Sequence, residues 1–438
     1  MRTKTFKGGV HPPESKNLSK DKKIERISPP PELTVPLSQH TGAPCRPLVK
    51  KKDKVEEGQK IGDHDAFISC PVHSPVSGEI ISIDKFPHPT LGEAEALLIK
   101  WDGGDRKNWD SEDVDLSSLS PEDIRKKVRE AGIAGMGGAA FPTHVKISPP
   151  PEKKIDTVIL NGCECEPYLT ADHRIMLERH EDCLFGLKAI MRATGAKRGY
   201  IGIEDNKKDA ISLIRYSTEA ENSIEVVPLR TKYPQGGEKM LIKAILGREV
   251  PSGGLPLDVG VVVSNVGTAV AVAEAIKKAK PLIERVVTVT GSGVSNPSNL
   301  LVPIGTPIRY ILDLCGIREN ARAIIAGGPM MGISQYTLDA PVIKGTSGIL
   351  VLTEEEIIQD KEKPCIRCAR CVDHCPMGLL PTTLAKLVKA EKWEMLGEFN
   401  IMDCIECGCC SYVCPSKIPI VQLIKWGKIE YRKITSRG

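Results

Sequence analysis

Between residues 155 and 280 the hydrophobic pattern switches repeatedly between two periods. The apolar runs IDTVILNG (155–162), RGYIGIED (198–205), SIEVVPLR (223–230) and GVVVSN (260–265) predict strands. NKKDAISLIRYS (206–217), GEKMLIKAIL (237–246) and TAVAVAEAIKKAK (268–280) predict helices. That order predicts an α/β sheet. Just upstream, LSSLSPEDIRKKVREAG (116–132) opens a helix. Ser120 suits its N-cap, Pro121 its first turn, and Glu122 and Asp123 the positive end of its dipole.

On either side the pattern changes. Residues 1 to about 110 are rich in Pro, Gly and Lys, with short β-type runs. VEEGQKIG (55–62) followed by SPVSGEIISI (74–83) reads as half of a biotinyl/lipoyl-type barrel-sandwich. No lysine sits in a carrier motif at a hairpin tip, so a scaffold or docking domain is expected. Residues 285–316 turn to short strands plus one helix, ending near GILVL (348–352), which predicts a small α+β domain. The tail from Val421 is a basic helix candidate, solvated or packing; contact with a partner or anionic lipid is a sharper reading.

Composition changes this picture little. The 438 residues suit about three domains. Hydrophobic content of 41% and charged content of 26% are ordinary for a soluble chain. Aromatics make up only 4%, so the cores rest on Val, Ile, Leu and Ala. A net charge of +4 gives no case for nucleic acid. No apolar run approaches the roughly 20 residues that a membrane span needs.

Cysteine changes it a great deal. There are 15. CIRCARCVDHCP (365–376) follows C-x2-C-x2-C-x3-C-P, and the spacing recurs from Cys404 to Pro415. This is the bacterial ferredoxin run, in which three thiolates hold one cubane and the fourth cysteine reaches the other. It assigns Cys365, Cys368, Cys371 and Cys414 to cluster 1, and Cys404, Cys407, Cys410 and Cys375 to cluster 2. Cys409 is left over, because using it breaks the repeat. Zinc sites pair CxxC or CxxH motifs rather than two such quartets. Disulfides are not expected in a chain showing no secretory signal.

Clusters move single electrons and need a donor. AGIAGMGGAAFPTHVKI (131–147) contains G-x-G-x-x-A, but a helix precedes it and Pro142 follows, so it is no Rossmann turn. Four glycines within 132–138, followed by Ala139 and Ala140, still let bare backbone approach an anion or a flat ring. Lys146 could complete a phosphate site. Asn161, Glu164 and Glu166 of NGCECEP lie just past a strand end, where α/β proteins bind ligands.

GMGGAAFPTHVK with NGCECEP resembles the flavin loops of the NADH-binding flavoprotein subunit of respiratory complex I, as do YPQGGE (233–238) and SNVGT (264–268). The opening KGGVHPPE and the order of parts resemble the RnfC family, from the Rnf electron-transport complexes, over nearly the full length. The resemblance implies a barrel-sandwich (1–112), a Rossmann-like α/β FMN/NADH domain (113–280), a small β-grasp, SLBB-like domain (281–355) and a two-cluster ferredoxin-type α domain (356–438). It places Gly135, Gly137, Gly138, Lys146, Asn161, Glu164, Tyr233 and Asn265 around FMN, and Phe141, Glu166 and Glu238 against NADH. Met136, Cys163, Gly237, Ser264 and Gly267 depart from the complex I pattern. Cys163 and Cys165 read as loop residues before a redox pair.

The implied activity is that of a ferredoxin:NAD+ oxidoreductase. FMN exchanges a hydride with NAD(H) and passes electrons singly to the clusters, so no side chain is required as acid or base. The implied partners are the membrane-embedded and ferredoxin-like Rnf subunits, with ferredoxin reached indirectly. The implied place is the cytoplasmic face of the cell membrane, as a peripheral subunit without a span of its own. Two other readings stand beside it. One is a flavin/iron–sulfur cobalamin reductase of propanediol metabolism, disfavoured by the N-terminal position of the sandwich. The other is an iron–sulfur relay whose flavin site is vestigial.

Overall fold

The structure, a computed structural model, describes residues 3–357 and 361–436. The four expected strands of the α/β domain form one parallel sheet in the order Ile224–Leu229, Arg198–Glu204, Thr157–Gly162, Val261–Asn265. The register sets Asn265 beside Asn161 at the C-terminal ends of neighbouring strands. The helix Pro121–Glu130 begins as the sequence predicts. Ser120 Oγ accepts from the Asp123 amide at 3.1 Å, and the Asp123 carboxylate accepts from the Ser120 amide at 3.0 Å, closing a capping box.

The helix Val266–Lys277 is buried on nearly every face, which explains its almost wholly apolar sequence. It crosses His180–Thr194 at Gly186, where a Cβ would lie 2.0 Å from the Ala269 carbonyl oxygen. The backbones therefore touch, and only glycine fits the crossing.

The sandwich consists of two antiparallel sheets. The larger joins Glu32–Pro36, Gly92–Trp101, Gly78–His88 and Lys54–Val55; the smaller joins Arg46–Pro47, Lys60–Asp63 and Val72–His73. Leu33, Val35, Ile61, Ile80, Leu97 and Ile99 fill the space between them. The residues before Glu32 lie elsewhere. Ile24–Arg26 is an edge strand of the six-stranded sheet built by residues 284–353, and Lys4 to Ser19 run along the α/β and cysteine domains.

The cysteine domain pairs the helices Pro381–Lys389 and Ile420–Thr435. The basic tail is thus largely a packing helix. Ile420, Val421 and Ile424 face inward, whereas Trp426 and Ile429 stay exposed. Lys344 locks three domains together. Its buried ammonium donates to the carbonyls of Pro71 and Gly132, both at 2.7 Å.

Candidate functional site: a glycine-lined cleft beside two cysteine nests

The glycine loop leaves and returns on itself. The Gly135 amide donates to the Phe141 carbonyl at 2.9 Å, so residues 136–140 project as a closed loop. Met136 plugs its base, buried, with its amide donating to Thr268 Oγ1 at 2.9 Å. Gly137, Gly138 and Ala139 are exposed. A Cβ on Gly137 would sit 2.9 Å from Asn265 Cβ, whereas Gly138 borders open space.

From Asn265 the site can be traced residue by residue. Its Oδ1 caps the helix Val266–Lys277 by accepting from the Gly267 amide at 2.8 Å, and its Nδ2 donates to Asp172 at 2.6 Å. On the neighbouring strand Asn161 Nδ2 donates to the Gly236 carbonyl at 2.9 Å. Gly236 leads into the helix Glu238–Leu246, whose N-cap is Gly237, a residue with no side chain to cap the first amides. Lys146 reaches this helix start, 2.5 Å from the Glu238 carboxylate. The Glu164 carboxylate accepts from the Asp172 amide at 2.7 Å and the His173 amide at 3.3 Å, at the start of the helix Ala171–Glu178. Burial, and then the neighbouring Glu164, push the Asp172 carboxyl up to about 7.

Gly137, Lys146, Asn161, Glu164, Glu238 and Asn265 therefore form one connected set, with Gly135 and Phe141 at the neck of the loop. Bare loop backbone, an uncapped helix start and a lysine suit a flat ring bearing a phosphate, so the residues fit FMN.

Two expected members turn elsewhere. Glu166 accepts from the amides of Met330 (3.1 Å) and Met331 (2.9 Å), joining the acidic loop to the third domain; burial raises it to about 7. Tyr233 is buried and donates its hydroxyl to the Cys407 carbonyl at 2.8 Å. It packs with Val10, Cys407 and Cys409, and with Cys165 and Met330 alongside. Cys163 lies under the sheet against the Gly202 carbonyl, and Cys165 accepts from the Gly236 amide at 3.3 Å.

The cysteine nests have different settings. Cys375, Cys404, Cys407 and Cys410 line one pocket with Met377, Leu379, Val421 and Ile424, and no charged side chain joins them. Burial, with neighbouring thiols after it, raises Cys404 to about 11 and Cys410 to about 12. Four cysteines lining one apolar pocket would need a cationic core to be held as thiolates there, so this donor set fits a cubane. In the other nest burial raises Cys371, with Cys414 and Cys365 among its neighbours, and Cys365 and Cys368 are exposed. Cys409 lines the first pocket and points its Sγ at the Tyr233 carbonyl, 3.9 Å away.

Sequence reasoning missed Lys16 and Lys207. Lys16 Nζ donates to the carbonyls of Glu164 (2.8 Å), Glu166 (2.9 Å) and Leu169 (2.5 Å). Lys207 Nζ holds the Cys163 carbonyl at 2.7 Å. The acidic loop is thus pinned from both flanks by buried cations.

Comparison with known proteins matches four family models in chain order. These are an RnfC barrel sandwich hybrid domain (4–104), a Nuo51 FMN-binding domain (128–274), an SLBB domain (286–334) and a 4Fe-4S dicluster domain (364–418). The order is the one expected from the sequence. The chain is 46% identical to the C subunit of the proton-translocating ferredoxin:NAD(+) oxidoreductase complex of Clostridium ljungdahlii, over 99% of this chain and 95% of that protein. It is 45% identical to the Na(+)-translocating counterpart of Acetobacterium woodii, over 91% and 90%. It is 40% identical to the C subunit of the ion-translocating oxidoreductase complex of Rhodobacter capsulatus, over 100% and 85%.

Proposed function

The chain belongs to the RnfC family, the C subunits of ion-translocating ferredoxin:NAD+ oxidoreductase (Rnf) complexes, and on that premise we propose that it is the complex's NAD(H)-exchanging subunit. Its cofactors are FMN and two [4Fe–4S] clusters, matching its FMN-binding and dicluster domains. When bound, they supply the exchange between a hydride pair and single electrons.

The chain's own residues bind and space these groups. Gly137 and Gly138 offer exposed backbone, Gly135 closes the loop behind them, and Lys146, paired with Glu238 at the helix start, is the cation within reach of a phosphate. Asn161, Glu164 and Asn265 fix the far wall. Phe141, at the neck of the loop, and Glu238 face the nicotinamide nucleotide. Tyr233 and Glu166 serve a different end in this reading, clamping the cleft to the cysteine domain and to the third domain.

The observation that carries the proposal is the bond from Tyr233 to the Cys407 carbonyl. It puts a cysteine of the buried nest against a loop of the flavin cleft. The nest with Cys365 and Cys368 opens to solvent. Cluster 2 is accordingly the inner station and cluster 1 the outer one, from which the other Rnf subunits are reached. Among the described residues no helix is long and apolar enough to cross a membrane. Ion translocation is assigned to the membrane-embedded subunits, on whose cytoplasmic face this chain docks.

The test is an anaerobic titration of the purified, cluster-reconstituted protein with NADH, followed by flavin and iron–sulfur absorbance. Bleaching of both is expected. Bound iron with no flavin, or spectra indifferent to NADH, would leave an electron relay whose donor lies elsewhere.

A further inference from the structure

Residues 4–19 stand outside the two sheets of the sandwich. They touch three loops in turn. The Lys4 amide donates to the Pro228 carbonyl and the Arg230 amide donates back to Lys4. Phe6 lies under the Lys232 ammonium, 4.4 Å from its ring centre. The Gly9 amide donates to the His374 carbonyl at 3.0 Å. Val10 and Tyr233 exchange two backbone bonds of 2.8 and 2.9 Å. Lys16 then gathers the acidic-loop carbonyls.

The two glycines sit where these contacts converge. Both have φ near +80°, a conformation that disfavours any side chain. A Cβ on Gly8 would lie 2.9 Å from the Cys375 carbonyl oxygen, and one on Gly9 would lie 2.5 Å from the Tyr233 carbonyl oxygen. A single thickness of glycine backbone therefore separates the cleft's Tyr233 from Cys375 of the inner nest. On its other side Tyr233 touches Cys407 directly.

We propose that this N-terminal strap is a positioning element for electron transfer, with Gly8 and Gly9 as the spacer that sets how closely the flavin cleft approaches the inner cluster. The inference rests on the functional reading above. A side chain at Gly8 must push the Cys375–Pro376 backbone away, and one at Gly9 must push the Tyr233 backbone away. Electron transfer falls off exponentially with distance, so such a wedge slows the step between cleft and cluster. Gly8, Gly9 and Val10 touch neither the glycine loop nor Lys146, and Lys16, the strap's hold on the acidic loop, stays in place, so hydride exchange at the cleft is left alone.

The experiment uses the full-length, reconstituted protein with Gly8→Ala, Gly9→Ala and Val10→Pro, the last removing the amide that donates to Tyr233. Gly92→Ala is the control, a glycine of similar φ with no atom near its missing Cβ. Iron and flavin content, hydrogen exchange of peptides spanning Tyr233 and His374, and stopped-flow bleaching after mixing with NADH are recorded. In the strap variants exchange at both peptides rises, flavin bleaches at the wild-type rate, and the clusters bleach about tenfold more slowly. Faster exchange with unchanged cluster bleaching would overturn the proposal, because the strap would then be displaced without consequence. Slowed flavin and cluster bleaching in equal proportion would also overturn it. Should Gly9→Ala lose iron, Gly8→Ala and Val10→Pro carry the same comparison. Failure of the underlying reading looks different: wild-type clusters would not bleach at all.

Discussion

Lys16 and Lys207 meet the acidic loop from opposite flanks, and each ammonium is buried. Burial pulls both towards neutrality. At Lys207 Glu204 and Glu164 outweigh it and raise the pKa, whereas at Lys16 burial prevails over Glu164 and the pKa is lowered. Removing Lys16 takes from three carbonyls their ammonium donor, although Lys207 and the Glu164 and Glu166 carboxylates still hold the loop. Each unsatisfied buried group costs about 1–3 kcal/mol, enough to let Glu164 and its left-handed backbone relax. The Lys16→Met protein is therefore expected to bind FMN at least about tenfold more weakly, measured by flavin fluorescence during titration of the apoprotein. Unchanged affinity would show that the loop holds its shape unaided. Glu164, Asn161 and Lys146 were legible in the sequence because they stand inside patterned loops. Lys16 was not: it is a lone lysine in a proline-rich stretch, and its acceptors lie about 150 residues away. Glu166 and Tyr233 were expected at the site, but their partners belong to other domains, and no local pattern announces those.

At the scale of elements, the four strands and three of the helices of the α/β domain could be read directly, because each is a continuous apolar run or an amphipathic one, whereas Ala171–Glu178 and His180–Thr194 were not read. The capping box at Ser120 was half visible, since a serine–proline–acidic start is a local signal. The edge strand Ile24–Arg26 was invisible. It is three residues long, none buried, and its partner is residues 299–301. Helix crossing distances are equally silent in sequence. Gly186 looks like a weak point in a helix, yet it marks backbone contact with Ala269. Gly186→Ala raises helix propensity by about 1 kcal/mol and still is expected to destabilise, because overpacking costs about 1–3 kcal/mol and here the obstacle is backbone. Thermal unfolding of the variant should show a lower Tm; an unchanged or higher Tm would mean the two helices separate freely.

At the scale of the whole molecule, the domains are joined by buried polar groups. His40 and His73 lie near Lys344 where the sandwich meets the other domains. Burial first, and then the Lys344 ammonium, push His40 down to about 4 and His73 to about 3; burial and Arg129 push His144 to about 4. All three are neutral in the fold but take up protons near pH 6.5 once unfolded. Their contribution is thus fully present above pH 6.5 and is lost as pH falls towards 4, by up to about 1.4 kcal/mol per pH unit for each. Tm should fall between pH 7 and pH 5, and a His40→Gln/His73→Gln protein should fall less steeply. Equal slopes would place the acid sensitivity elsewhere. The order of domains was legible because each carries its own signature, above all the doubled cysteine run. How they dock was not, because docking is done by isolated residues such as Gly8, Gly9, Tyr233 and Lys344.

That docking makes one cysteine nest inner and the other outer. The most direct measurement is anaerobic reduction of two ligand variants by NADH, Cys368→Ala and Cys404→Ala, with each remaining cluster followed by electron paramagnetic resonance. Cluster 2 should be reduced at the wild-type rate in Cys368→Ala, and cluster 1 should stay oxidised in Cys404→Ala. Rapid reduction of cluster 1 in the Cys404→Ala protein would contradict the account, since electrons would then reach the outer nest without passing the inner one.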